Sequence, residues 1–240
     1  MNYDLDKNAE LVARLHTISN LDVSFSAMDT LKQKIKIEKY KAAGYDGAIF
    51  AEDRSDLTRR GFNGSTQIVA FDPAQIKYVI VSHGHGDHSG GAKFLQETFG
   101  ARVILSAEDW DLLERSKSSP NAQPVPRRDM VATDGMKLTL GDTTLTLYIT
   151  PGHTLGTLSM LIPVRDKGQP HLIAEWGGTA FNWVAGPAPY ITPDRPAKFW
   201  FDTYSRSAER FRDIAVKAGA DIVIANHTEF DGTKTKVPAL

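Results

Sequence analysis

Short apolar runs separated by amphipathic stretches set the layout of residues 71–231. Lys77 to Ser82 (KYVIVS) is brief and β-branched, which predicts a buried strand, and Asp72 followed by Pro73 signals a short helix start before it. KFLQETFG is an amphipathic turn or two closed by Gly100, and Arg102 to Leu105 is the next strand. Ser106 is placed to cap a helix over AEDWDLLERS. Residues 116–129, rich in Ser and Pro, predict a loop. Lys137 to Leu140 and Thr143 to Ile149 alternate across Gly141-Asp142 as a β-hairpin does, and Thr157 to Val164 with His171 to Glu175 form a second pair. The Gly, Pro and aromatic residues of 177–200 predict a long ordered loop. Ser205 to Ala218 has helical spacing, with Phe211, Ile214, Ala215 and Ala218 on one face and Gly219 as the stop; Asp221 to Ala225 is a last buried strand. Strands alternating with helices indicate a layered α/β domain. Upstream, Asp6 to Ile18 has helical spacing, and Lys34 to Ile37 alternates like a strand inside a Lys-rich segment whose charges read as a solvated face.

Composition narrows the chemistry. The chain has 240 residues, enough for one sizeable core with no demand for a second, so a single domain over 1–240 is expected. A net charge of -1 provides no basic field for a nucleic acid backbone. No apolar run approaches the roughly 20 residues that span a bilayer, so no membrane partner is expected. The start, MNYDLDKNAE, lacks the apolar stretch of a secretory signal; a soluble protein is expected, with its compartment left open. Cysteine is absent, which removes thiolate ligands and nucleophiles together, so any metal site must use His and carboxylates.

Such residues are concentrated in one place. H-G-H-G-D-H puts His83, His85, Asp87 and His88 within six residues. His83 and His85 are two apart, so on an extended backbone both imidazoles point to one side and suit one metal. Asp87 and His88 follow where the strand has ended and the chain turns, and can face a second metal. His153, in T-P-G-H-T, and His227, in A-N-H-T, each follow a predicted strand, where ligand sites of α/β sheets collect. Three His for one ion (His83, His85, His153) then leave Asp87, His88 and His227 for the other. Three protein ligands with one open position are the catalytic arrangement. His16 and His171 lack such company and read as ordinary structural or surface histidines.

H-G-H-G-D-H, then P-G-H-T, then a final strand-borne His resembles the metallo-β-lactamase superfamily, from about Phe71 to Asp231. The resemblance implies an αββα four-layer sandwich with its site at one edge of two facing sheets, and the same division of six ligands between two metals. Many members carry a bridging Asp in a G-D-T segment. Here the matching segment is Trp176-Gly177-Gly178-Thr179, so Gly178 stands at that place. Without it the set of five His and one Asp resembles the third subclass of the true β-lactamases, and an imidazole-rich set favours two zinc ions over iron. Members also open with a strand running into an Asp-x-Gly turn. Asp46 to Phe50, followed by Glu52-Asp53, is the nearest counterpart, and the sequel RSDLTRRGFNGSTQ lacks the expected amphipathic helix.

The implied activity is hydrolysis of an amide or ester in a small-molecule substrate by a metal-activated hydroxide, with β-lactams the leading guess and Asp87 catalytic as well as ligating. Lactone or thioester hydrolysis, or a metal-binding domain with little activity, are the alternatives. Thr154 and Ser159 are candidates for orienting the imidazoles. Phe181, Asn182, Trp183 and Tyr190 either line the substrate groove or pack the loop.

Overall fold

A computed structural model describes residues 47–51, 66–70, 75–118, 123–166, 168–186 and 190–231. The helical spacing at Asp6 to Ile18, the segment Lys34 to Ile37, His16, Glu52-Asp53 and the Asp72 helix start lie outside them. The chain divides into two compact units, Met1–Gln75 and Ile76–Leu240. In the first, strands β1 (Gly47–Ala51) and β2 (Thr66–Ala70) pair antiparallel, with Gly47 opposite Ala70 and Ala51 opposite Thr66. β1 coincides with the strand expected near Asp46; β2 is an addition.

In the second unit, β3 (Tyr78–Ile80), β4 (Arg102–Ser106) and β5 (Met130–Ala132) form a parallel three-stranded sheet. A five-stranded sheet runs in the order β10-β9-β8-β7-β6, from β6 (Met136–Leu140), β7 (Thr143–Ile149), β8 (Leu158–Asp166), β9 (Gln169–Trp176) and β10 (Ile222–Ala225). Helices α1 (Gly86–Ser89), α2 (Ala92–Phe99) and α3 (Ala107–Ser116) flank the small sheet's connections, and α4 (Asn182–Ala185), α5 (Ala197–Ala218) and α6 (Thr228–Asp231) follow the large one.

Alternation along the strands builds the layers. On β4, Val103 and Leu105 pack outward on Ala92 of α2 and on Trp110 and Leu113 of α3. Ile104 points the other way, into a cluster with Ala132, Leu138, Leu147, Leu158 and Met160, drawn from both sheets. On the far side Leu161 and Ala174 meet Phe211, with Ile214 and Ala215 of α5 packed alongside. The order helix, sheet, sheet, helix is the expected αββα sandwich. Burying side chains such as Ile104, Leu147 and Leu158 stabilises it by about 1.5–3 kcal/mol each.

Local signals hold where they are strong. The Ser106 side chain accepts from Asp109 N and caps α3, and Gly100 and Gly219 end α2 and α5 in the left-handed conformation, φ 69° and 78°. The β6–β7 hairpin turns at Gly141-Asp142. Two expectations need correction. Ala218 is exposed rather than part of the buried face of α5. That helix also begins at Ala197, inside the expected loop of 177–200. Aromatic residues are weak helix formers, but burial of Trp200 against Trp183 and Tyr190 outweighs that local preference. His171 is a surface histidine paired with Asp221 at 2.7 Å. Among the described residues no helix is long and apolar enough to cross a membrane.

Glu175 is a buried carboxyl on the large sheet. It sits on β9 opposite Met160 and Ile224, and its Oε2 has no hydrogen-bond partner among the described residues. Burial pushes its carboxyl from 4.5 up to about 8. A folded-state pKa raised in this way favours folding at low pH, and the benefit is lost as pH rises from 4.5 through about 8. Glu175→Gln, neutral throughout, is expected to melt with the wild type at about pH 4 and clearly above it at about pH 9; parallel melting curves at both pH values would refute the buried acid.

Candidate metal centre

Strand direction brings the ligand candidates together. β7 and β9 both run antiparallel to β8, and β10 runs parallel to β9, so the C-terminal ends of β7, β9 and β10 share one rim. The end of β3 reaches the same rim, where Leu158 N donates to Ser82 O at 2.7 Å and ties the two sheets together. His83, His85, Asp87 and His88 follow β3, His153 lies between β7 and β8, and His227 follows β10.

The six residues fall into two groups, His83/His85/His153 and Asp87/His88/His227, each offering ligand atoms within 4.8 Å of one another. In the first, His83 Nε2 and His85 Nδ1 each lie 3.1 Å from His153 Nε2. A tetrahedral zinc site with bonds of about 2.0–2.1 Å has edges of about 3.3 Å. In the second, the Nε2 atoms of His88 and His227 are 2.9 Å apart, and Asp87 Oδ2 lies 3.4 Å from the former and 3.6 Å from the latter.

Hydrogen bonds on the outer side of each ring decide where the lone pairs point. His83 Nδ1 donates to Gly177 O at 3.1 Å, and His153 Nδ1 donates to Ala180 O at 3.0 Å. A carbonyl only accepts, so both protons sit on Nδ1 and both Nε2 atoms present bare lone pairs to each other. Two lone pairs 3.1 Å apart repel unless a cation lies between them, and the donor set fits a divalent metal. His85 pairs through Nε2 with Tyr190 Oη at 2.8 Å, which leaves Nδ1 for the group.

Electrostatics agree. Burial, reinforced by the neighbouring imidazoles, holds His83 far below the ordinary histidine range, and burial together with His153 lowers His85 to about 4. Burial lowers His153 as well. These three rings are neutral at neutral pH and have no proton to lose before binding a cation. The His88 imidazole beside Asp87 holds its exposed carboxyl well below the usual carboxylate range.

The surroundings correct the orienting residues. Thr154 donates to Asp109 instead of touching a ring, and Ser159 bonds Thr150 Oγ1 and Gly177 N. Ring orientation comes from the carbonyls of Gly177 and Ala180, groups that no side-chain motif reveals. Ala180 adopts φ 69° without being glycine, a strained backbone that aims its carbonyl at His153. Asn226 Nδ2 shares the Gly177 carbonyl at 2.8 Å, linking the end of β10 to His83. The aromatic loop divides: Trp183 is a packing residue, buried with its Nε1 on Gly152 O, while Tyr190 reaches the site.

Residues 50–167 match the model of the metallo-beta-lactamase superfamily. The chain belongs to the metallo-β-lactamase superfamily. BJP-1, a subclass B3 metallo-β-lactamase of Bradyrhizobium japonicum, is similar in structure, with 26% identity, a TM-score of 0.53, and coverage of 78% of this chain and 66% of that one. The N-acyl homoserine lactonase AttM of Rhizobium johnstonii is 26% identical over 189 residues, 75% of this chain and 68% of its own. A hydroxyacylglutathione hydrolase of Acidiphilium cryptum is 32% identical over 87 residues, 36% of this chain. The chain spans only 31% of that hydrolase and about two thirds of the other two.

Within this metallo-β-lactamase fold Gly178 has a steric reason to lack a side chain. A Cβ there would lie 2.8 Å from both His153 Cβ and Thr157 Cγ2, leaving no space for a carboxylate. Gly178→Asp is expected to destabilise the fold by about 1–3 kcal/mol through overpacking, read as a lower urea midpoint at unchanged slope. An unchanged midpoint would mean that the end of β9 yields freely.

Proposed function

We propose that the protein is a dinuclear zinc hydrolase that opens a cyclic amide, with β-lactams as the substrate class. The observation that carries this reading is the donor set of five histidines and one aspartate, divided three and three, with Gly178 where a bridging carboxylate has no room. Similarity to a subclass B3 metallo-β-lactamase supports the substrate class. His83, His85 and His153 would hold one ion, and Asp87, His88 and His227 the other. Such ions supply Lewis acidity and bring the pKa of a coordinated water towards neutrality.

The chain's own groups supply the rest. Asp87, ionised and solvent-facing, is the catalytic residue: Oδ2 stays with His88 and His227 while Oδ1 accepts a hydrogen bond from the attacking water and directs it at the carbonyl carbon. The Gly177 and Ala180 carbonyls keep His83 and His153 from turning as charge develops. A second reading, lactone or thioester hydrolysis by the same residues, is favoured by similarity to a homoserine lactonase across three quarters of the chain.

Elemental analysis of the purified protein is expected to find close to two zinc ions per chain, with ring opening of a chromogenic cephalosporin that chelation abolishes. Asp87→Ala is expected to lower turnover by about 10²-fold or more while the far-ultraviolet dichroism stays native. Two zinc ions without cephalosporin turnover would transfer the assignment to lactones and thioesters. Absence of bound metal would overturn it.

A further inference from the structure

Asp109 is a buried carboxylate outside both ligand groups, only 1% exposed at the third position of α3. Its Oδ2 accepts from Gly84 N at 2.8 Å and from Thr154 Oγ1 at 2.7 Å, and its Oδ1 accepts from Gly156 N at 3.0 Å. Gly84 lies between His83 and His85, and Thr154 directly follows His153. Thr154 is itself held by Thr157, whose Oγ1 accepts from Thr154 N at 3.0 Å and lies 2.8 Å from Thr154 Oγ1. One side chain thus bridges two loops that are about seventy residues apart in sequence.

The chemistry of the donors calls for an acceptor at both carboxyl oxygens. The amides of Gly84 and Gly156 can only donate, so both carboxyl oxygens must accept. A carboxamide would turn its NH2 against one of them and leave a buried N–H without a partner. The backbone is shaped for the contact as well: a Cβ at Gly156 would meet Ser106 Oγ at 2.0 Å and Asp109 Oδ1 at 2.7 Å. Every bond runs to the loops of His83, His85 and His153. Among the described residues none runs to Asp87, His88 or His227.

We propose that Asp109 is a positioning residue for the three-histidine group, clasping the backbone between His83 and His85 to the turn that carries His153. The proposal rests on the reading that this group holds a metal ion. It acts on one of the two groups, which separates it from a general structural role.

The test uses the full chain and zinc alone, titrated against a chromogenic chelator. His227→Ala leaves the three-histidine group intact; His153→Ala leaves the Asp87/His88 side. In the His227→Ala background, Asp109→Asn is expected to weaken zinc binding at least tenfold, on the scale of lost outer-shell support of about 10–100-fold. In the His153→Ala background the same substitution is expected to change affinity by less than about twofold. Thr154→Val, which removes one bond and keeps the shape, is expected to show the same selectivity with a loss of about 2–10-fold, and it decides the matter should Asp109→Asn not fold. Equal weakening in both backgrounds, or no change in the first, would overturn the clasp. A His227→Ala protein with Asp109 intact that takes up no zinc would overturn the metal reading itself, and the clasp with it.

Discussion

Two imidazole nitrogens without protons face each other 3.1 Å apart, and the rest of the rim is arranged to keep them there. Left alone, the His83 and His153 rings would turn or take up a proton. Each is prevented from turning by a backbone carbonyl, Gly177 for one and Ala180 for the other. Burial denies each the proton, since an imidazolium loses more hydration on burial than a neutral ring does. The result is a concentration of lone pairs that a divalent cation satisfies and little else would.

The sandwich exists in the form that such a centre requires. Helices cover the outer faces of both sheets, and the inner cluster around Ile104, Leu147 and Leu158 is buried and packed from both sheets, which holds the strand ends that emerge from it. Three strands of the large sheet deliver their C-terminal ends to one edge, and the bond from Leu158 N to Ser82 O brings the end of β3 to the same edge. Residues far apart in sequence therefore meet without any of them needing to be long or flexible. The cost is carried locally, in the left-handed backbone of Ala180 and in side-chain-free positions such as Gly156 and Gly178.

The two groups differ in character. His83 and His153 are buried, His85 is half-buried, and all three are held by partners from the rim and the aromatic loop, whereas Asp87 has an exposed carboxylate. The centre therefore has a more buried side of three imidazoles and a solvent-facing side that carries the one carboxylate. Similar proteins carry the names metallo-β-lactamase, N-acyl homoserine lactonase and hydroxyacylglutathione hydrolase, so one fold serves several substrates.

By itself the sequence made the donor types and their grouping legible, because four of them occur within six residues and the other two follow segments with strand patterning, one alternating and one continuously apolar. It also determined most elements of the layered fold, since hydrophobic period, the Ser106 cap and the Gly100 and Gly219 stops are local properties. Tertiary structure decided what local signals do not encode. The early start of α5 depends on aromatic packing across the chain, and the orientation of His83 and His153 depends on carbonyls that every residue possesses. In sequence terms Asp109 is one of two acidic residues in the first turn of a helix, with nothing to set it apart from Glu108. Its bonds to Gly84, Thr154 and Gly156 exist only because folding places three distant backbones around one carboxylate, and contacts of that kind leave no periodic trace in a sequence.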